Sequence, residues 1–116
     1  MQKVRIMALG GLDEDGKNCY VLEFGEDIFV IEAGIKYPET EQLGIEYIIP
    51  DFTYLIENKE RIKGVFISHG HDDVMSALSF LLKEIDVEIY ATALTAKVLE
   101  NSLPNKKRIN ILRRDD

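Results

Sequence analysis

Only one cysteine, Cys19, occurs among the 116 residues, so no internal disulfide is available and the expected setting is a reducing one, the cytoplasm. No apolar run is long enough to cross a bilayer, and Arg5 interrupts the one that opens the chain, so the expectation is a soluble, unsecreted protein with no membrane partner. Positive charge is scarce as well. With 14 Lys and Arg against 21 Asp and Glu the formal net charge is -7, which argues against a free-standing nucleic-acid binder, because contacts to phosphate supply most of the non-specific affinity. Internal repeats and low-complexity tracts are absent. Gly10-Gly11 and Gly16 complete neither a P-loop nor a dinucleotide-binding pattern, and tight turns account for them.

What the chain does contain is concentrated in one stretch, Gly64-Val65-Phe66-Ile67-Ser68-His69-Gly70-His71-Asp72-Asp73-Val74-Met75-Ser76. An apolar, β-branched run stops at two histidines and two aspartates and then resumes with helical spacing. That pattern predicts a buried strand delivering polar side chains at its carboxyl end, where open α/β sheets place their sites. Gly70 between the histidines is expected to let the backbone turn so that His69 and His71 converge, with Asp73 two positions on. Neutral imidazoles and a carboxylate are ligands suited to zinc. Plainer roles exist for the same residues. Asp73 stands where an N-cap is wanted for the helix that follows, and Asp72 reads as a solvated loop carboxylate favoured by that helix's amino terminus. The basic run Lys106-Lys107-Arg108, with Arg113 and Arg114, reads as a solvated surface.

Along the chain, strands are predicted over 4–8, 18–24 and 28–31, the last two joined through Gly25-Glu26-Asp27 as a hairpin. Residues 34–50 are too long and irregular for a bare connector. Asp51 is placed to cap a short helix running to Asn58. The histidine-bearing strand, Val65 to Ser68, feeds a helix over 74–85 on which Met75, Leu78, Leu81, Leu82 and Ile85 share a face. A strand over 87–91 follows, then a helix capped by Thr92 with Leu94, Val98 and Leu103 on one face, ended by Pro104, and a last strand over 109–112.

The central stretch resembles the His-x-His-x-Asp-His signature of the metallo-β-lactamase fold. Its flanks narrow the resemblance. Ala8-Leu9-Gly10-Gly11-Leu12, Gly16-Lys17-Asn18, Val30-Ile31-Glu32-Ala33-Gly34, Ile49-Pro50-Asp51 with Thr53-Tyr54-Leu55, and Glu57-Asn58-Lys59 together look like the opening of ribonuclease J. The chain departs from that pattern at Asp13 and Asp15, at Glu32 in place of aspartate, and at Val74 and Ser76 in place of histidine and glycine.

The resemblance implies an α/β fold, the N-terminal half of an αββα metallo-β-lactamase sandwich with a mixed sheet. Residues 1–116 would form a partial metallo-β-lactamase domain, as a fragment or a naturally shortened chain, without the β-CASP and C-terminal domains of the longer enzymes. It implies two zinc sites, with His69 and His71 as ligands of one metal and Asp73 of the other, the remaining ligands lying in further sequence. No catalytic residue beyond these ligands is assigned. Val74 replaces a nitrogen donor with an apolar group, so the second zinc site is expected to be weak or empty. The implied activity is metal-dependent RNA hydrolysis in RNA processing and decay, impaired by Val74 and absent from the 116 residues alone. RNA would be engaged through the full-length protein, with a homo- or hetero-oligomer formed with a ribonuclease J paralogue. A non-catalytic partner subunit of an active ribonuclease J is the alternative that Val74 favours, and a metallo-β-lactamase-fold hydrolase of small esters is the one the flanks disfavour.

Overall fold

The computed structural model describes residues 3–12, 16–35, 48–70, 77–103 and 108–113. Six strands form one sheet in chain order: β1 Val4–Gly10, β2 Cys19–Phe24, β3 Asp27–Ile31, β4 Ile62–Ile67, β5 Ile89–Ala91 and β6 Ile109–Ile111. β1, β2 and β3 pair antiparallel, whereas β3, β4, β5 and β6 run parallel, so the sheet is mixed as expected. The change of direction follows from the connections. β2 and β3 are joined by two residues, with Gly25 at φ +62° in the first central position, the pattern of a type II′ turn whose twist matches its strands. Parallel neighbours need crossovers instead. These carry α1 (Thr53–Glu57) and a 3-10 turn (Lys59–Arg61) before β4, α2 (Leu78–Leu81) before β5, and α3 (Ala93–Ser102) before β6.

Period-two alternation sends Val21, Ile28, Val30, Val65, Ile67, Ile89 and Ala91 to one face, where they join Leu55, Leu78, Leu81, Ala96 and Leu99 from the helices in a single core. The opposite face is also apolar. There Phe66 stacks on Tyr90 at 4.9 Å between ring centroids and meets Phe29 at 6.2 Å. Leu22, Phe29, Ile31 and Phe66 line a shallow hollow beside them, and Ile6, paired with Leu22, is 77% exposed. A Cβ on Gly64 would lie 2.7 Å from Tyr90 Cε2, so the bare position at 64 makes room for the tyrosine ring. Strands apolar on both faces belong to a sheet built into more than one layer.

Local differences from the sequence expectations have physical causes. The N-cap position of α1 is Phe52, not Asp51. Asp51 sits one residue earlier, and its Oδ1 accepts from Thr53 N at 2.9 Å and from Thr53 Oγ1 at 2.6 Å. Thr92 does occupy the N-cap of α3, but its hydroxyl donates to Thr95 Oγ1 at 3.2 Å and caps no amide. On α3 the buried residues are Thr95, Ala96 and Leu99, with Leu103 just beyond, whereas Leu94 is 79% exposed. Contact with β5 and β6 sets that helix's rotation, and Leu94 lies off the contact. Of the helix expected over 74–85, residues 77–85 are described, and regular helix spans Leu78–Leu81. Glu84 N then donates to Leu81 O at 3.0 Å and Ile85 N to the same carbonyl at 3.1 Å, a tightened last turn. Residues 74–76 lie outside the described residues, as do 36–47 of the long irregular connection. Among the described residues no helix is long and apolar enough to cross a membrane.

Candidate metal centre

Strand β4 is the buried strand expected from its sequence, with Val65 and Ile67 in the core and exposed Ser68 and His69 immediately past its carboxyl end. The parallel ladder to β3 fixes where that end lies. Glu32 N continues the ladder by donating to Phe66 O at 2.9 Å. Beyond that bond β3 turns sharply, with Glu32 at φ +72°, a left-handed conformation that residues other than glycine seldom adopt. The turn leads into buried Ala33 and Gly34. Gly34 N donates to Asn18 O at 2.9 Å and Ala33 O accepts from Ala77 N at 2.6 Å, so β2, the end of β3 and the start of α2 are tied together here.

Inside this knot the Glu32 side chain, in a residue only 5% exposed, reaches across to β4, and its Oε1 accepts from Ser68 N at 2.7 Å. Ser68 Oγ in turn lies 2.7 Å from His69 Nδ1. If Nδ1 carries the proton it donates to the serine oxygen, and that tautomer presents its ring lone pair at Nε2, the arrangement by which an outer partner fixes a metal-ligating imidazole. Cys19 on β2 belongs to the same buried region. Burial pushes its thiol up to about 12 from 9.0, and the negative charge of Glu32 adds to the shift.

Of the three residues predicted as ligands, His69 stands at the expected strand end. His71 and Asp73, with Val74, lie outside the described residues. Among the described residues no group of three or more His, Cys, Asp or Glu side chains converges to hold a metal. His69 fits as one imidazole donor with an oxygen partner on its other nitrogen, the chemistry a zinc ligand needs. For Gly70, the expected convergence of His69 with His71 falls outside the described residues. The glycine's φ is outside the left-handed range, and a Cβ there would meet Val98 Cγ2 at an ordinary 3.5 Å.

Glu32 was legible only as a departure from a family pattern, although its sequence held a stronger signal. Ile28 and Val30 face the core, so two residues on an acid is aimed the same way. A buried acid at a strand end beside candidate ligands is a functional cue.

Comparison with known proteins places this geometry. The family described as the metallo-beta-lactamase superfamily matches residues 12–114. Ribonuclease J2 of Bacillus subtilis is 48% identical over 102 residues, 88% of this chain and 18% of that protein. Ribonuclease J 2 of Streptococcus pyogenes is 42% identical over 113 residues, 95% of this chain and 20% of that one. The chain therefore spans about a fifth of the length of these curated relatives. Among solved structures, the Rm3 metallo-beta-lactamase superposes with a TM-score of 0.58 at 19% identity, over 93% of this chain and 42% of its own. A flavo di-iron protein from Thermotoga maritima superposes at 0.59 and 15% identity, over 100% and 34%. These two likenesses concern the fold, and they agree with a mixed sheet, helix-covered on one face, as the N-terminal half of an αββα sandwich. The match across residues 12–114, on a sheet whose β4 ends two residues before His69, shows that the chain belongs to the metallo-beta-lactamase superfamily.

Proposed function

We propose that this chain is the opening part of a cytoplasmic, ribonuclease J-like, zinc-dependent RNA hydrolase whose intrinsic activity is reduced. The observation that carries the proposal is the 48% identity to a ribonuclease J2 over 88% of the chain, in which the two histidines of the sequence fall at 69 and 71. His69 and His71 would hold one zinc and Asp73 the second, with the other ligands in sequence beyond residue 116. Bound zinc would supply an activated water and stabilise charge on the scissile phosphate. The chain's own part is to hold the imidazole donors at the end of a buried strand. Val74 offers no lone pair to the second metal, which supports reduced activity, and also a second reading in which the protein is a partner subunit of an active ribonuclease J.

The test is metal analysis after dialysis together with an RNA-cleavage assay on the full-length protein, its Val74→His variant and residues 1–116 alone. The full-length protein should retain less than two zinc per chain and cleave slowly, and Val74→His should raise both quantities. Residues 1–116 should bind zinc weakly and leave RNA intact, because a catalytic zinc site commonly has three protein ligands and this stretch offers two imidazoles to one metal. Unchanged metal content in Val74→His would remove position 74 as the defect, and zinc-independent inactivity with stable co-purification of an active paralogue would favour the subunit reading.

A further inference from the structure

We infer that the outer face of the sheet, the one without helices, is a self-association surface on which a second copy of this 116-residue chain packs face to face. That face carries a knob beside a hollow. Ile6 of β1 stands directly opposite Leu22 of β2, and Leu22 opposite Phe29 of β3, so the three side chains share the side away from the helices. Leu22, Phe29, Ile31 and Phe66 line the hollow, apolar throughout. Ile6 rises next to it on the edge strand at 77% exposure, with Val4 and Phe24 beyond it also exposed. So many large apolar side chains on one face favour a cover, each Å² removed from water contributing about 25 cal/mol.

Three features select a second copy as that cover. First, the shape is self-complementary. A two-fold axis lying in the interface, between β1 and the hollow and directed along the strands, carries the Ile6 of each copy over the hollow of the other. The same axis keeps the strands of the two sheets nearly aligned, as twisted sheets pack, about 10 Å apart. Second, the charges at the rim are already answered within the chain. Asp27, opposite Phe24, has its Oδ1 at 3.7 Å from Lys63 Nζ, and Glu88, two residues before Tyr90, has its Oε1 at 3.1 Å from Arg108 Nη1. An apolar centre inside a rim of paired charges is the anatomy of a protein interface, and it calls for no partner of opposite sign. Third, the layers are completed. Helices cover one face of the sheet, and two copies joined through the other stack as helix, sheet, sheet, helix, with both apolar faces of each sheet buried.

The experiment is sedimentation equilibrium of the 116-residue chain over a range of concentrations, with Ile6→Asp and Leu94→Asp as variants and amide NMR shifts on dilution as a second readout. The parent should be a mixture of monomer and dimer with no larger species, because an isologous contact closes on itself. Each copy carries a net charge of -7, so the dimer should tighten as salt is raised from about 0.05 M to about 0.5 M and repulsion is screened, whereas a dimer held by ion pairs would loosen. Ile6→Asp should weaken it about a hundredfold, since both copies lose the apolar knob. The exposure of Ile6 in the single chain means that the same change leaves the fold intact. Leu94→Asp alters an apolar side chain 79% exposed on α3, away from this face, and should leave the dimer unchanged. On dilution the amides of Ile6, Leu22, Phe29 and Phe66 should shift while those of α3 stay in place. A parent that is monomeric throughout would overturn the inference and leave the face to lipid or to further sequence of a longer chain. A dimer that Ile6→Asp does not weaken, or dilution shifts confined to α3, would overturn it as well.

Discussion

The two ends of β4 are each secured by a buried glutamate, and the two are secured differently. At the amino end Glu23, in a residue 4% exposed, faces two guanidinium groups, with Oε2 at 3.5 Å from Arg61 Nη2 and 3.7 Å from Arg5 Nη1. Arg61 then clasps the β2–β3 turn, donating to Glu26 O at 3.1 Å and to Gly25 O at 3.4 Å, and is itself steadied by donating to Asn58 Oδ1 at 3.1 Å. At the carboxyl end Glu32 is met by the Ser68 amide, and the bond leads on to an exposed imidazole. A carboxylate whose charge is answered by arginines is committed to holding the fold together. One answered by a backbone amide at the end of a strand instead sets the direction of whatever that strand presents. The first end is therefore expected to govern stability, and the second to govern the site.

The largest effect should come from breaking the amino-terminal cluster. Arg61→Ala leaves Glu23 buried with a single guanidinium at 3.7 Å and a carboxylate oxygen, Oε1, that has no hydrogen-bond partner among the described residues. Removing one partner of a buried ion pair costs about 3 kcal/mol, so the urea midpoint should fall sharply. Glu23→Leu, which removes the buried charge itself, should be far milder. If both variants were equally damaging, packing of the glutamate stem rather than its charge would be what matters at this end.

Next in size, Glu32→Ala strands the Ser68 amide and should cost about 2 kcal/mol, measured by the same denaturation. Glu32→Gly loses the same bond but tolerates φ +72°, so it should be more stable than Glu32→Ala by about 1 kcal/mol. Equal stabilities would show that the left-handed backbone stores no strain.

The charge at the carboxyl end should also be felt by Cys19. Its thiol stays protonated in the native state to about 12, whereas in the unfolded chain it ionises near 9.0. Between those values the native state binds more protons than the unfolded one, so this contribution to stability is intact below 9.0 and declines as pH rises toward 12. Urea midpoints measured across that window should fall in the parent, fall less steeply in Glu32→Gln, and fall least in Cys19→Ala. Burial is the larger cause of the shift, so Glu32→Gln should remove only part of the slope.

Smaller still, Gly70→Ala should alter stability by less than about 0.5 kcal/mol, because its Cβ would make only ordinary contact with Val98. A large loss would show a backbone role for that glycine. Smallest is the acid response of the exposed turn before α1. Thr53 hydrogen bonds hold the Asp51 carboxyl below 3.8, so whatever stability they lend is present above that value and lost as pH falls through the lowered pKa. An NMR titration of the Thr53 amide should show that loss, and Asp51→Asn should abolish the titration.

How much of this was legible beforehand depends on the range of the interaction. β-Branched alternation marked β2, β3 and β4, and Gly25 marked the turn between the first two, since these signals are local. The abrupt end of an apolar run marked His69 as the head of the site. Alternation also aimed Glu23 and Glu32 at the core, but their answering groups lie far along the chain, at Arg61 and Ser68. The rotation of α3, with Leu94 outward and Thr95 inward, was set by contact with β5 and β6, and three leucines and valines at helical spacing misplaced it.

The sequence by itself determined which segments extend, which turn, and which family they resemble, because chain stiffness, side-chain alternation and a run of ligand-type residues are properties of neighbours. Tertiary structure alone decided which of two buried glutamates is bound by arginines and which by an amide. A carboxylate's role depends on what stands within 4 Å of it, and parallel pairing of β3 with β4 is what brought Ser68 to Glu32.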